Sequence, residues 1–157
     1  MNRYMNLIGQ NARKACLKRI NTKIKNKVLR KYALLLDKEK NSILKASTKD
    51  VKLALKNGLK NNLIDRLTID QKKLSNIKNS INNIAKLKDP VDSVLKKWGR
   101  PNGLKIKKVS IPIGVIGIIY ESRPNVTSDV ASLCFKSGNA VILKGGSEAI
   151  NTNKILA

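Results

Sequence analysis

The chain has 157 residues, with 33 Lys or Arg against 10 Asp or Glu and a formal net charge of +23 at pH 7. That length suits one domain, which would bury roughly 68–70% of its unfolded surface, so a real core is expected. No apolar run nears the roughly 20 residues that span a bilayer, the start lacks the apolar stretch and cleavage site of a secretory signal, and two distant cysteines give no disulfide framework, so a reducing, cytoplasmic setting is expected.

Residues 5–20 place Ile8, Ala12, Ala15, Cys16 and Ile20 on one stripe of a helix. This stretch is basic and free of acids, as transit peptides are, but it has no serine and its apolar spacing is already that of a folded helix. Thr22 is the expected N-cap of a second helix, with Ile24, Val28, Leu29, Tyr32, Leu35 and Leu36 on one side. A third helical stretch runs from Lys38 to Asn57. "STKD" at 47–50 has capping-box spacing, which predicts a break and restart there, and Gly58 is the expected stop. Thr68 and Gln71 make another capping box, opening a helix through Leu74, Ile77, Ile81, Ile84 and Leu87 that ends before Asp89-Pro90. Residues 1–89 therefore read as helices only, each with one apolar stripe, a layer that needs something to cover.

From residue 90 the period changes. "DSVLKKW" and "LKIKKVSI" flank the turn cluster "GRPNG", and their near alternation predicts a β-hairpin over 90–112 whose lysines suit a solvent-facing ribbon. Residues 113–157 then read strand ("VIGIIY"), helix ("TSDVASLCFKSG"), strand ("AVILK") and a Gly turn into a helix. Short loops in a β-α-β-α order predict a parallel sheet. The fold class is thus α/β: a helical layer, a hairpin, and a β-α-β-α unit of a parallel, Rossmann-like sheet. The final helix carries no stop signal and two parallel strands expose sheet edges, so the chain is expected to be truncated.

The charge is spread unevenly: residues 1–103 carry 26 basic against 7 acidic groups, and residues 104–157 carry 7 against 3. Nucleic-acid binding is one reading of so basic a chain. The excess, however, lies on every helix and accompanies heavy use of Asn and Ile, which with Lys have A/T-rich codons. Base-composition drift accounts for all three, and the few aromatics (Tyr4, Tyr32, Trp98, Tyr120, Phe135) offer little for base stacking.

Ligands of open α/β sheets sit beyond the C-terminal ends of the strands, where helix N-termini attract anions. Two such corners exist. In "KGGSEA", Gly145 and Gly146 allow close backbone approach, Ser147 is a potential N-cap, and Lys144 suits a phosphate or ribose. The same residues also describe a tight turn with glycines at positive φ. In "YESRPNVTSD", Thr127 is the expected N-cap, Arg123 has the fork that grips phosphate, and the Asn125 amide can donate to an oxyanion. Pro124-Asn125 as a plain turn with Arg123 in solvent is the other reading. Cys134 lies toward a helix C-terminus among apolar neighbours, in a chain without His to activate it, and reads as structural.

"PIGVIGIIYESRPNVTSDVASLCFKSGNAVILKGGSEAINTN", together with "NKVL", "NGL", "DRL" and "DPV" upstream, resembles the gamma-glutamyl phosphate reductase family of the aldehyde dehydrogenase superfamily over essentially the whole chain. The resemblance implies NADPH-dependent reduction of L-glutamyl 5-phosphate to the 5-semialdehyde in proline biosynthesis, on a sheet that binds its cofactor without G-x-G-x-x-G. It makes Lys144 a ribose or 2′-phosphate contact, with Gly145, Gly146 and Ser147 at the same corner and Glu148 at a ribose-side position. There the glycine pair makes the spacing one residue longer than in most of the superfamily. Asn125 takes the place of the superfamily's oxyanion-hole Asn, and Arg123 that of a substrate-phosphate contact. The nucleophilic cysteine belongs to a catalytic domain outside this sequence, so the chain alone is expected to be inactive, with no metal required. The resemblance further implies a homo-oligomer for the full-length protein and glutamate 5-kinase as a partner. The alternative to this enzyme reading is a degenerate basic module that binds nucleic acid or acidic surfaces.

Overall fold

A computed structural model describes residues 3–157; Met1 and Asn2, the first positions of the expected helical layer, lie outside the described residues. The elements in order are α1 (Arg3–Cys16), α2 (Thr22–Lys38), α3 (Lys40–Lys56), α4 (Asn61–Leu67), α5 (Gln71–Lys86), β1 (Val94–Gly99), β2 (Lys105–Val109), β3 (Val115–Tyr120), α6 (Asn125–Lys136), β4 (Ala140–Gly145), a 3₁₀ turn (Ser147–Ala149) and α7 (Ile150–Leu156).

The helical layer builds its core between α2 and α5. Leu29, Ala33 and Leu36 of α2 meet Leu74, Ile77, Ile81, Ile84 and Ala85 of α5, joined by Ile43, Ile69 and Leu156. The α5 stripe follows the expected 3.6-residue period except that Leu87, past the helix end, is exposed. On α2 the expectation is only half met. Leu29 and Leu36 are buried, but Ile24, Val28 and Leu35 are exposed, because the buried face turns toward Lys25 and Ala33. What the layer covers is α6 and α7, while α1 lies directly against β3 and β4.

Three capping expectations fail, each because the expected side chain bonds elsewhere. Asn21, not Thr22, caps α2, its side chain accepting from Ile24 N at 2.9 Å, while the Thr22 hydroxyl donates to Asp89. The α3 helix runs unbroken through "STKD", because Ser47 and Asp50 are buried and serve distant segments: Ser47 Oγ accepts from Ile69 N at 2.8 Å. Asp70, not Thr68, caps α5 through Lys73 N, and the Thr68 hydroxyl turns back to Ile64 O. α4 is an element the sequence patterns did not reveal. Gly58 stops α3 as expected, at φ +73°, with its own N–H donating to Leu55 O and that of Leu59 to Ala54 O.

β1 and β2 form the expected antiparallel hairpin, with Lys97 opposite Lys107 and Trp98 opposite Ile106, and a bulge between Val94 and Lys96. β3 and β4 pair in parallel from Val115↔Ala140 to Tyr120↔Gly145, with α6 as the crossover. Gly138, at φ +75°, ends α6 with the same pair of turn bonds as Gly58, so the chain returns to the sheet at once. No helix among the described residues is long and apolar enough to cross a membrane.

Candidate functional site at the strand ends

Because β3 and β4 are parallel and in register, both corners emerge at one edge of the sheet, Tyr120 beside Gly145. They are tied to each other by Glu148. Its Oε1 accepts from Ser122 N at 2.5 Å and from Ser122 Oγ at 3.1 Å. Ser122 is buried and holds a left-handed conformation (φ 46°), which an L-residue adopts at a cost, so the carboxylate repays a strained turn. The residue expected on a ribose thus faces inward as a brace.

Thr127 is not the N-cap either. α6 begins at Asn125, behind Pro124, and Thr127 sits inside it, buried, with its hydroxyl 2.6 Å from Tyr120 Oη and 3.1 Å from Asn153 Oδ1. Asn153 of α7 in turn lies over Gly145. A Cβ on Gly145 would come within 2.2 Å of Asn153 Nδ2, and one on Gly146 within 2.2 Å of the Glu148 carboxylate. Neither glycine has positive φ and Ser147 makes no cap bond, so the turn reading fails too. Gly145 is crowded by the buried Asn153, whereas at Gly146 only the end of the flexible Glu148 side chain stands in the way. Lys144 and Ser147 remain exposed at the outer end of β4. A phosphate-bearing nucleotide fits this donor set at its edge, through an exposed cation and hydroxyl, whereas the space above the glycines is taken by Asn153 and Glu148.

Arg123 and Asn125 face elsewhere. Both line a cavity of about 380 Å³ between the β3–α6 corner and the α4–α5 corner, completed by Arg66, Thr68, Ile69, Lys73 and Asn76. Three of its seven lining residues are cationic and none is acidic. Asn125 Nδ2 donates to Asp129 Oδ2 at 3.1 Å, one helical turn on, which uses one amide proton and leaves the other. Lys73 Nζ donates to Thr68 O at 2.9 Å and to Asp65 O, pinning the α4–α5 corner while keeping its charge at the cavity. Arg66 and Lys73 were invisible in the sequence as site residues, since nothing local separates them from the other basic groups.

The cysteines do not enter this site. Cys134 is buried, and burial pushes its thiol above the usual range. Cys16 Sγ donates to Arg13 O in α1. Among the described residues no group of three or more His, Cys, Asp or Glu could hold a metal ion.

No family model matches the chain. Individual relatives do. Proteins named gamma-glutamyl phosphate reductase are 56% identical over 141 residues in Nitratiruptor sp. and 46% identical over 158 residues in Clostridium tetani, alignments that take in 90% and 99% of this chain. The crystal structure of gamma-glutamyl phosphate reductase from Thermotoga maritima superposes with a TM-score of 0.89 at 43% identity over 94% of this chain, and that from Saccharomyces cerevisiae with 0.92 at 36% over 96%. The chain belongs to the gamma-glutamyl phosphate reductase family. It spans about a third of the length of these relatives, 34% of the Nitratiruptor protein and 36% of the Thermotoga chain. For the family, the name implies a small-molecule substrate and a nicotinamide cofactor.

Proposed function

We propose that the chain supplies the N-terminal part of the NADP-binding domain of a reductase that converts L-glutamyl 5-phosphate to L-glutamate 5-semialdehyde and phosphate in proline biosynthesis. In that scheme residues 1–89 are the supporting layer, 90–112 the oligomer-forming hairpin and 113–157 the first half of the cofactor sheet. The observation that carries the reading is the shared cavity of Arg123 and Asn125, basic and without a carboxylate, beside parallel strand ends.

Lys144 and Ser147 would hold NADPH at its ribose side, and the bound cofactor would supply hydride to the acyl carbon. A cysteine thiolate outside these residues attacks the acyl phosphate carbon; a C–S bond forms, the C–O bond to phosphate breaks, and phosphate leaves. Once hydride has added at that carbon the C–S bond would break, returning the thiolate and releasing the semialdehyde. Arg123 holds the departing phosphate through paired N–H donors. The Asn125 amide proton not engaged by Asp129 donates to the carbonyl oxygen as negative charge gathers on it. Asp129 keeps the amide in place, so little reorganisation is needed when that charge develops. Gly145 and Gly146 act by letting Asn153 and Glu148 pack the corner, and Glu148 acts through Ser122 more than on the ribose. Without a nucleophile the chain alone turns over no substrate. A cytoplasmic homo-oligomer, fed by glutamate 5-kinase, completes the reading.

The test is binding and complementation. Saturable NADPH binding that weakens in Lys144→Ala, and reductase activity only when a downstream catalytic fragment is added, are the expected results. Tight, salt-dependent DNA binding with no response to NADPH, even in the complemented pair, would move the chain to the basic-module class.

A further inference from the structure

The cavity has two walls, and the proposed reaction uses only one. Arg123 and Asn125 come from the β3–α6 corner; Arg66, Thr68, Ile69, Lys73 and Asn76 come from the helical layer. On that second wall Arg66 occupies the last turn of α4 with an exposed side chain, while the next residue, Leu67, is fully buried and Ile69 nearly so. The backbone beneath Arg66 is fixed further by the Thr68 hydroxyl on Ile64 O and by Lys73 Nζ on Asp65 O and Thr68 O. A rigid base thus carries a guanidinium that forms no ion pair and no side-chain hydrogen bond among the described residues. Arg and Lys differ here. Lys73 spends its donors on two carbonyls, whereas the five N–H donors of Arg66 are all available, in the planar fork that matches a carboxylate.

The volume of about 380 Å³ is that of a small-molecule site. An amino-acid acyl phosphate carries anionic groups at both ends, and one wall already accounts for the phosphate end. We infer that Arg66 is a specificity-determining residue, a clamp for the α-carboxylate of the substrate on the wall opposite Arg123, with Lys73 holding the clamp's corner shut and adding positive potential. This rests on the substrate proposed above. Its consequence is that the helical layer chooses the substrate: an anion lacking an α-carboxylate would meet Arg123 but leave Arg66 unpaired.

Titration of the chain with L-glutamate, with its α-amide isoglutamine, and with inorganic phosphate, followed by backbone amide chemical shifts, tests this. L-glutamate is expected to perturb the α4–α5 corner and isoglutamine not. Arg66→Ala is expected to weaken L-glutamate by about tenfold or more while leaving phosphate within about twofold, as removal of one bidentate charged contact implies. Arg66→Lys, which keeps the charge and loses the fork, is expected to fall between, and its unchanged spectrum elsewhere guards against unfolding. Equal L-glutamate affinity in Arg66→Ala, with phosphate still bound and lost in Arg123→Ala, would overturn the clamp and leave the proposed reaction standing. Failure of the unaltered chain to bind either L-glutamate or phosphate would overturn both.

Discussion

Asp50 and Thr152, 102 positions apart, are joined by two hydrogen bonds: Thr152 N donates to Asp50 Oδ2 at 2.8 Å and Thr152 Oγ1 to the same oxygen at 2.7 Å. The other oxygen accepts from Asn151 N at 3.2 Å and from Asn151 Nδ2 at 2.6 Å. A carboxylate in mid-α3, only 1% exposed, therefore caps the start of α7, a helix with no side-chain cap of its own. Negative charge at a helix start is favourable, and here it fastens the β-α-β-α unit to the helical layer.

Asp50→Ala is accordingly expected to destabilise the chain by about 2–3 kcal/mol, combining a lost cap with buried donors left unpaired. Asp50→Asn, which keeps one acceptor oxygen, is expected to lose less. Urea unfolding reads both, and an Ala variant with an unshifted midpoint would contradict the capping role.

Gly145→Ala is expected to cost more than Gly146→Ala. The first places a methyl against Asn153, which is buried and bonded to Thr127, so something well packed must shift, at about 1–3 kcal/mol. The second meets the end of the Glu148 side chain, which can swing away at the expense of its bonds to Ser122. Melting temperatures of the two variants give the order.

Lys25 and Asp89 form a buried ion pair at 2.9 Å that also takes in Thr22 and the Lys136 carbonyl. Burial alone would raise the Asp89 pKa, but hydrogen bonds from Lys25, Val91 N and Thr22 hold it below its ordinary 3.8. A depressed carboxylate stabilises fully above its unfolded value, and that contribution is lost as pH falls through the folded one. Stability should therefore decline below about pH 4, and the decline should be shallower in Asp89→Asn. Lys25→Met, which strands the carboxylate, is expected to cost about 3–5 kcal/mol at neutral pH. Denaturant titrations at pH 7 and across the acid range check both.

Cys134 should be the slower thiol. With burial raising its pKa, it is expected to react with an aromatic disulfide reagent well after the half-buried Cys16, and only as the fold opens. Cys134→Ala should leave activity in a complemented pair intact; abolished turnover in a folded Ala variant would return this thiol to the chemistry.

In the same pair, Asn125→Ala is expected to lower kcat on the order of 10²- to 10³-fold, as loss of an oxyanion donor does elsewhere. Arg123→Ala should act mainly on KM for the acyl phosphate. Steady-state kinetics separate the two, and an unchanged kcat in Asn125→Ala would remove the oxyanion role.

Much of this architecture was legible in the sequence. The α5 stripe, the hairpin around "GRPNG", the parallel strands flanking α6, and the glycine stops at Gly58 and Gly138 all depend on neighbours within a turn or two. Periodicity and turn chemistry are local, so local pattern determined them, as the resemblance in "YESRPNVT" and "KGGSEA" marked both corners. What only the tertiary structure decided is where each polar group spends its hydrogen bonds. Thr22, Ser47, Asp50 and Thr127 all sit at capping spacings, yet each is drawn to a partner outside the expected turn, Asp89, Ile69, Thr152 and Tyr120 respectively. A buried donor or acceptor must be satisfied wherever packing puts it, and packing brings together segments a hundred residues apart. The cavity formed in the same way: Arg123 belonged to a readable motif, but Arg66 faces it only because Leu67 and Ile69 are buried where the helical layer meets the strand ends.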